Sequence, residues 1–274
     1  MPIRLAMHVG VNRLDPAHYS GWRGELSGCE FDAHTMRSIC ENAGFTSAVL
    51  SNEKATRQAV LESIAKAASS LRHGDTFILT YSGHGSQLPD TIVDEPDGAD
   101  ETWCLYDGQL IDDELGRAWG RFEADVRVVL ISDSCHSGSI LWSTIFGARP
   151  EWLDGGDEGG PRPKVMPSEF WARVYQANKA FYDAILSQPR PTIPQCNVIQ
   201  IAACADNQIA IDEPDGGKFT KMLKLVWANG AFHGTYAELT KAVRLKLPLP
   251  NSPRLETIGP TIAAFANGQA FSGS

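Results

Sequence analysis

No run in this chain of 274 residues approaches the roughly 20 consecutive apolar residues of a membrane span. The opening residues, Met1 to His8, lack a basic stretch followed by a long apolar one, so no export signal is expected there. Paired Cys-x-x-Cys and His-x-x-x-His spacings are also missing, which argues against a zinc site. Positive charge is scarce: 24 Lys and Arg against 33 Asp and Glu leave a formal net charge of −9. That balance argues against a nucleic-acid or anionic-membrane surface and is compatible with basic substrates. The six cysteines sit in or beside periodic apolar stretches rather than in a short loop-rich scaffold. Without an export signal, reduced thiols in a cytoplasmic setting are expected.

What is present is an ordinary globular composition, 43% hydrophobic and 21% charged, in a chain long enough for one large core. Leu5, Met7 and Val9 alternate as a first strand would. Leu26, Cys29, Ala33, Met36, Cys40 and Ala43 repeat at steps of three and four, and Gly44 stops that helix. A strand near 45–50 follows, then a helix capped by Thr56. Residues 76–81, 126–131 and 197–203 read as further strands, with helices near 112–122, after Lys218 and after Thr235. Strands alternating with helices imply an α/β fold, a mainly parallel sheet with helices on both faces.

Two short motifs close two of these strands. Thr76–Tyr81 leads into Ser82-Gly-His84-Gly85, and Val126–Ile131 into Ser132-Asp133-Ser-Cys135-His-Ser-Gly138. An imidazole and a thiol thus stand on small-residue turns at strand ends, the rim where open α/β sheets place their sites. Imidazole exchanges protons near neutral pH, and thiolate is the nucleophilic form of cysteine. His84 lies 51 positions before Cys135, close to the spacing of about 50 between caspase histidine and cysteine. The caspase Gln-Ala-Cys-x-Gly pattern is absent. His136 is a rival base, but a sequence neighbour in extended backbone points the other way.

These motifs, with Leu26-Ser-Gly-Cys29-Glu-Phe-Asp32-Ala33 upstream and Ala202-Ala-Cys204-Ala-Asp206-Asn-Gln208 downstream, resemble the metacaspase branch of the caspase-like cysteine peptidases. The ordered segments span about residues 4–246. The resemblance implies a single caspase-like domain over 1–274, with a large-subunit-like segment 1–145, a linker or insertion 146–195 and a small-subunit-like segment 196–274. It implies a monomer acting on protein or peptide substrates, and the charge balance and lack of long apolar runs add the expectation of no nucleic-acid or membrane partner.

In that reading Cys135 is the nucleophile and His84 the acid/base, with backbone N–H groups of Gly85 and Cys135 as an oxyanion hole. A carboxylate two residues before the nucleophile favours a cationic residue before the scissile bond. The resemblance assigns that pocket to Asp133, Asp32 and Ser82, with Cys29 beside them and Asp206 on the substrate-binding wall. The expected activity is an endopeptidase cutting after Arg or Lys, with Arg favoured by two carboxylates. Two alternatives stay open: a latent or non-catalytic module that binds a protein partner, and an Asp-specific caspase-type peptidase.

The acidic stretch 89–113 raises calcium, a hard cation that takes carboxylate oxygens. The resemblance aligns Asp100, Asp112 and Asp113 with three calcium ligands of metacaspases and puts Trp142 where a fourth is expected, so a weak site or none is at least as well supported as a working one. No cofactor is otherwise required. The linker holds Arg149, Arg162, Lys164 and Arg190 in stretches read as exposed, so self-cleavage and a surface-packed insertion are both open.

Overall fold

A computed structural model describes residues 2–89, 99–135, 160–205, 208–248 and 251–272. The chain forms β1 (Arg4–Gly10), α1 (Cys29–Asn42), β2 (Thr46–Ser51), α2 (Arg57–Ser70) and β3 (Thr76–Ser82). It continues through β4 (Gly85–Pro89), β5 (Ala99–Leu105), β6 (Gly108–Ile111), α3 (Asp112–Trp119) and β7 (Arg127–Asp133). The stretch read from the sequence as a linker contains β8 (Arg162–Pro163), α4 (Ser168–Ala177) and α5 (Lys179–Leu186). The C-terminal part adds β9 (Asn197–Ala202), β10 (Ile211–Asp212), α6 (Lys218–Trp227), α7 (Tyr236–Arg244), β11 (Arg254–Ile258) and α8 (Ile262–Ala266).

Six strands form the main sheet in the order β11-β9-β7-β3-β1-β2, all parallel except β11, which runs antiparallel to β9. Every residue of β3 is buried. A central parallel strand is covered on both faces, which is why Thr76–Ser82 reads as a nearly continuous apolar run. One apolar cluster, with Val60, Ile64, Leu79, Trp119 and Tyr182, fills the α2, α3, α5 face. Another, with Met36, Ile39, Ile78, Leu223 and Val243, fills the α1, α6, α7 face. Thr56 caps α2 by accepting from Ala59 N–H at 3.1 Å, and Gly44 takes the positive φ of +83° that ends α1.

A second sheet of β4, β5 and β6 stands where the sequence reads as an acidic loop. Asp100, Glu101 and Thr102 belong to β5. Tyr81 stacks on Trp103 at 4.4 Å and gives the small sheet its attachment to β3. No helix among the described residues is long and apolar enough to cross a membrane.

Candidate active site

Parallel register brings the two motif strands together. Ser82 at the end of β3 pairs with Asp133 at the end of β7, so His84 and Cys135, each two residues further on, share one rim. The two turns are in van der Waals contact: a Cβ on Gly85 would overlap the Cys135 carbonyl, so only glycine fits there. The His84 carbonyl accepts from Tyr81 Oη at 2.7 Å and from Cys104 N–H at 2.9 Å, which fixes the turn. The His84 ring lies 4.7 Å from Trp22, and its Nε2 is 3.1 Å from the Gly24 carbonyl. Nδ1 is buried without a hydrogen-bond partner. Burial drives the His84 pKa down to about 3, against the opposing pull of the Gly24 carbonyl. The ring is therefore neutral. The Cys135 Sγ accepts from the Ala210 N–H at 2.6 Å.

Asp32, Ser82 and Asp133, drawn from α1, β3 and β7, meet behind these turns and are all buried. The start of α6 orients both carboxylates: Gly217 N–H donates to Asp32 at 2.9 Å, while Thr220 donates to Asp133 Oδ2 from its hydroxyl at 2.7 Å and its N–H at 3.2 Å. A helix N-terminus favours negative charge. Asp212 holds the start of α1 by accepting from Ser27 N–H at 2.7 Å and Gly28 N–H at 3.1 Å. Cys29 is buried beside Asp212, 3.7 Å from Oδ1. Burial pushes its thiol well above the ordinary range, so it stands as a neutral packing group.

The pocket these residues form is filled by Lys164, the largest departure from the sequence reading. Far from lying in an exposed stretch, Lys164 is fully buried. Its Nζ donates to Asp32 Oδ2 and Ser82 Oγ, each at 2.9 Å, and stands 3.2 Å from Asp133 Oδ1. Burial alone would push the ammonium down, but Asp133 and Asp32 outweigh it and hold the pKa above its usual value. A Cβ on Gly217 would strike this ammonium, so glycine leaves the room it needs. The Lys164 carbonyl accepts from Gly85 N–H at 3.0 Å and Cys135 N–H at 3.1 Å. Val165 follows directly, its backbone beside the His84 ring.

Asp206, His136, Arg149 and Trp142 lie outside the described residues. Arg162 is partly buried and donates to the Glu25 carbonyl at 2.7 Å. Asp100, on β5, and Asp112 and Asp113, which open α3, sit at one end of the small sheet. A cleft of about 380 Å³ there is lined by Glu101, Asp112, Asp113, Arg254 and Glu256. Among the described residues no three His, Cys, Asp or Glu side chains are arranged to hold a metal ion. Sequence reasoning missed the pocket-filling role of Lys164 and the supporting groups Gly217, Thr220, Ala210 and Asp212. Only Gly216-Gly217 before the Lys218 helix carried a signal, as a flexible entry to a helix start.

The caspase domain family matches residues 4–263. Metacaspase-1 of Coccidioides immitis (strain RS) is 35% identical over 154 residues, covering 50% of this chain and 32% of that protein. Metacaspase-1 of Mycosarcoma maydis is 27% identical over 274 residues, covering 88% of this chain and 66% of that protein. The match thus spans less than two thirds of either relative's length. The crystal structure of protein GSU0716 from Geobacter sulfurreducens superposes with a TM-score of 0.88 at 40% identity, covering 100% of both chains. With this match along nearly its whole length and a mostly parallel sheet carrying His84 and Cys135 on one rim, the chain belongs to the caspase-domain peptidase family as a metacaspase-like member.

Proposed function

We propose that the chain is a cysteine endopeptidase that hydrolyses peptide bonds after lysine or arginine, with Cys135 as nucleophile and His84 as acid/base. One observation carries the reading. Lys164 lies as a substrate residue would, its ammonium among Asp32, Asp133 and Ser82 and its carbonyl between two backbone N–H groups. Oxyanion stabilisation asks for donors about 2.7–3.1 Å from the oxygen, and Gly85 and Cys135 N–H stand at 3.0 and 3.1 Å.

In the reaction, His84 takes the thiol proton and the Cys135 thiolate attacks the carbonyl carbon. Negative charge then collects on the oxygen facing the Gly85 and Cys135 amides. His84 returns the proton to the departing nitrogen, and water resolves the thioester with His84 as base. Three oxygens around an ammonium that has three protons suit lysine at least as well as arginine. An aspartate would meet two carboxylates there, a like-charge contact that disfavours it.

Two consequences follow for regulation. The Lys164–Val165 bond is the first bond presented to the nucleophile, so linker cleavage is assigned to it rather than to Arg162 or Arg190. Until that segment leaves, the pocket is closed to other substrates and the enzyme is latent. Fluorogenic peptides ending in Lys, Arg or Asp, assayed beside Cys135→Ala, test the reading. Turnover of the basic peptides that is lost in the variant is expected. Asp turnover alone, or basic turnover that survives in Cys135→Ala, would overturn it.

A further inference from the structure

The segment in the site is anchored on both sides of the Lys164–Val165 bond. On the acyl side, Lys164 N–H donates to the Ala210 carbonyl at 2.9 Å, and β8 pairs antiparallel with β10. The amine side is held as firmly. Met166 N–H donates to the Gly85 carbonyl at 2.8 Å, and Val165 bridges to Gly85. Val165 is buried, and Met166 is fully buried in the cluster on the α5 face. The Trp171 indole N–H, from α4, donates to the Met166 carbonyl at 2.9 Å. Just beyond, Val174 and Tyr175 of α4 are buried in the same cluster. The new N-terminus that cleavage would create is therefore part of the packed core.

We propose that Val165, Met166 and Trp171 retain the leaving amine after the bond is cut, making self-cleavage at Lys164 reversible and leaving the nicked chain inhibited by its own product. The proposal rests on the peptidase reading above. When the Cys135 thiolate attacks, the bond from the Lys164 carbonyl carbon to the Val165 nitrogen breaks, and that nitrogen takes the proton held by His84. A Lys164 thioester and a Val165 amine result. Water converts the thioester to the Lys164 carboxyl and the free thiol. Alternatively, the Val165 amine attacks it, restoring the peptide bond and passing its proton through His84 to sulfur.

An ordinary substrate loses its amine product by diffusion, so water wins. Here the amine is held at the thioester, and well-oriented groups react at effective molarities of about 10⁵–10⁸ M, far above any concentration water can reach. Religation outruns hydrolysis. When hydrolysis does occur, the Lys164 side chain still sits on Asp32 and Asp133, and the pocket stays filled. Cutting the bond and opening the site are thus separate events. Opening requires Met166 to leave the core and Trp171 to leave the surface of the cluster it packs against.

The test uses the full chain, nicked by its own activity and isolated under native conditions, then incubated in heavy-oxygen water. Mass spectrometry after denaturation is expected to find heavy oxygen in the carboxylate of the Lys164-terminated fragment, together with regenerated intact chain. Nicked Trp171→Phe, which keeps the ring but loses the N–H donor, and nicked Met166→Ala are expected to turn over a lysine peptide at least about tenfold faster than the nicked parent, with less religation. Regenerated intact wild-type chain reads retention of the amine even if Met166→Ala fails to fold, whereas exchange alone reads only that the Lys164 carboxylate still reaches Cys135. A nicked parent that is fully active at once, without exchange or religation, overturns retention and leaves the peptidase reading intact. A chain that turns over peptides but is never cut at Lys164 overturns it as well. Absence of both nicking and turnover overturns the peptidase reading itself.

Discussion

Replacing Lys164 with methionine should destabilise the protein far more than a linker substitution would. The experiment belongs in a Cys135→Ala background, where the chain stays intact. Lys164 Nζ stands 2.9 Å from Asp32 Oδ2 and 3.2 Å from Asp133 Oδ1, with all three groups buried. At an effective dielectric of about 20, unit charges 4 Å apart attract by about 4 kcal/mol. Each ion also loses several kcal/mol of hydration, so the intact cluster contributes little net stability. Breaking it is another matter, because Asp32 and Asp133 would remain buried beside each other. Removing one partner of such a pair costs about 3–5 kcal/mol. Asp133→Asn added to Lys164→Met removes one orphaned carboxylate, so the double variant should be more stable than the sum of the single costs by at least about 1 kcal/mol. Urea unfolding at constant slope reads these differences from the midpoints. The raised Lys164 pKa means its stabilisation is complete below the unfolded value of about 10.4 and fades only as pH climbs through the higher folded value. The cost should therefore be the same at pH 7 and pH 9. A Lys164→Met cost below about 0.5 kcal/mol, additive with Asp133→Asn, would place the lysine in solvent rather than between Asp32 and Asp133.

Burial holds both His8 and His84 down to about 3. The unfolded chain takes up those protons near pH 6.5 and the folded chain does not, so stability is full above that value and falls as pH drops. Each histidine should contribute about 1.4 kcal/mol per pH unit, and His84→Ala in the Cys135→Ala background should remove about that slope from an acid titration of urea midpoints. Gly85→Ala, whose methyl would overlap the Cys135 carbonyl, should cost at least about 10²-fold in kcat with a lysine peptide while the chain remains folded by circular dichroism. Asp32→Asn should lower kcat/KM for basic peptides by about 10²-fold, since the bound ammonium loses one of two buried counter-charges. Millimolar calcium should change turnover by less than about twofold, and a larger activation would reveal a metal site assembled with residues outside those described.

Much of the frame was legible because its elements carry one unmistakable pattern each. Residues 76–81 and 126–131 are nearly continuous apolar runs, broken only by Thr76, Thr80 and Arg127, and they form most of the two central strands. The stripe from Cys29 to Cys40 and the Thr56 cap gave α1 and α2. The motifs at strand ends put His84, Cys135, Ser82 and Asp133 on one rim, because parallel register leaves no other arrangement for adjacent strands. The small sheet was illegible, since Asp100-Glu-Thr102 reads as acidic loop and only the pairing of β5 with β4 and β6 makes it a strand. Strand β11 was missed for a similar reason: Arg254–Ile258 is mostly exposed at the edge and shows no apolar alternation. Lys164 was the instructive miss. Among Pro and Gly residues a lysine reads as solvated, and its burial depends on Asp32, 132 positions away in sequence. No local pattern reports a charge complement at that range.

The central claim is that Lys164 is held as the residue before the scissile bond. Its most direct test is mass spectrometry of the denatured full chain, with N-terminal sequencing of its fragments, beside Cys135→Ala. A wild-type fragment that begins at Val165 and is missing from the variant is expected. A wild-type chain cut only at other positions, or a Val165 fragment that persists in Cys135→Ala, would contradict it.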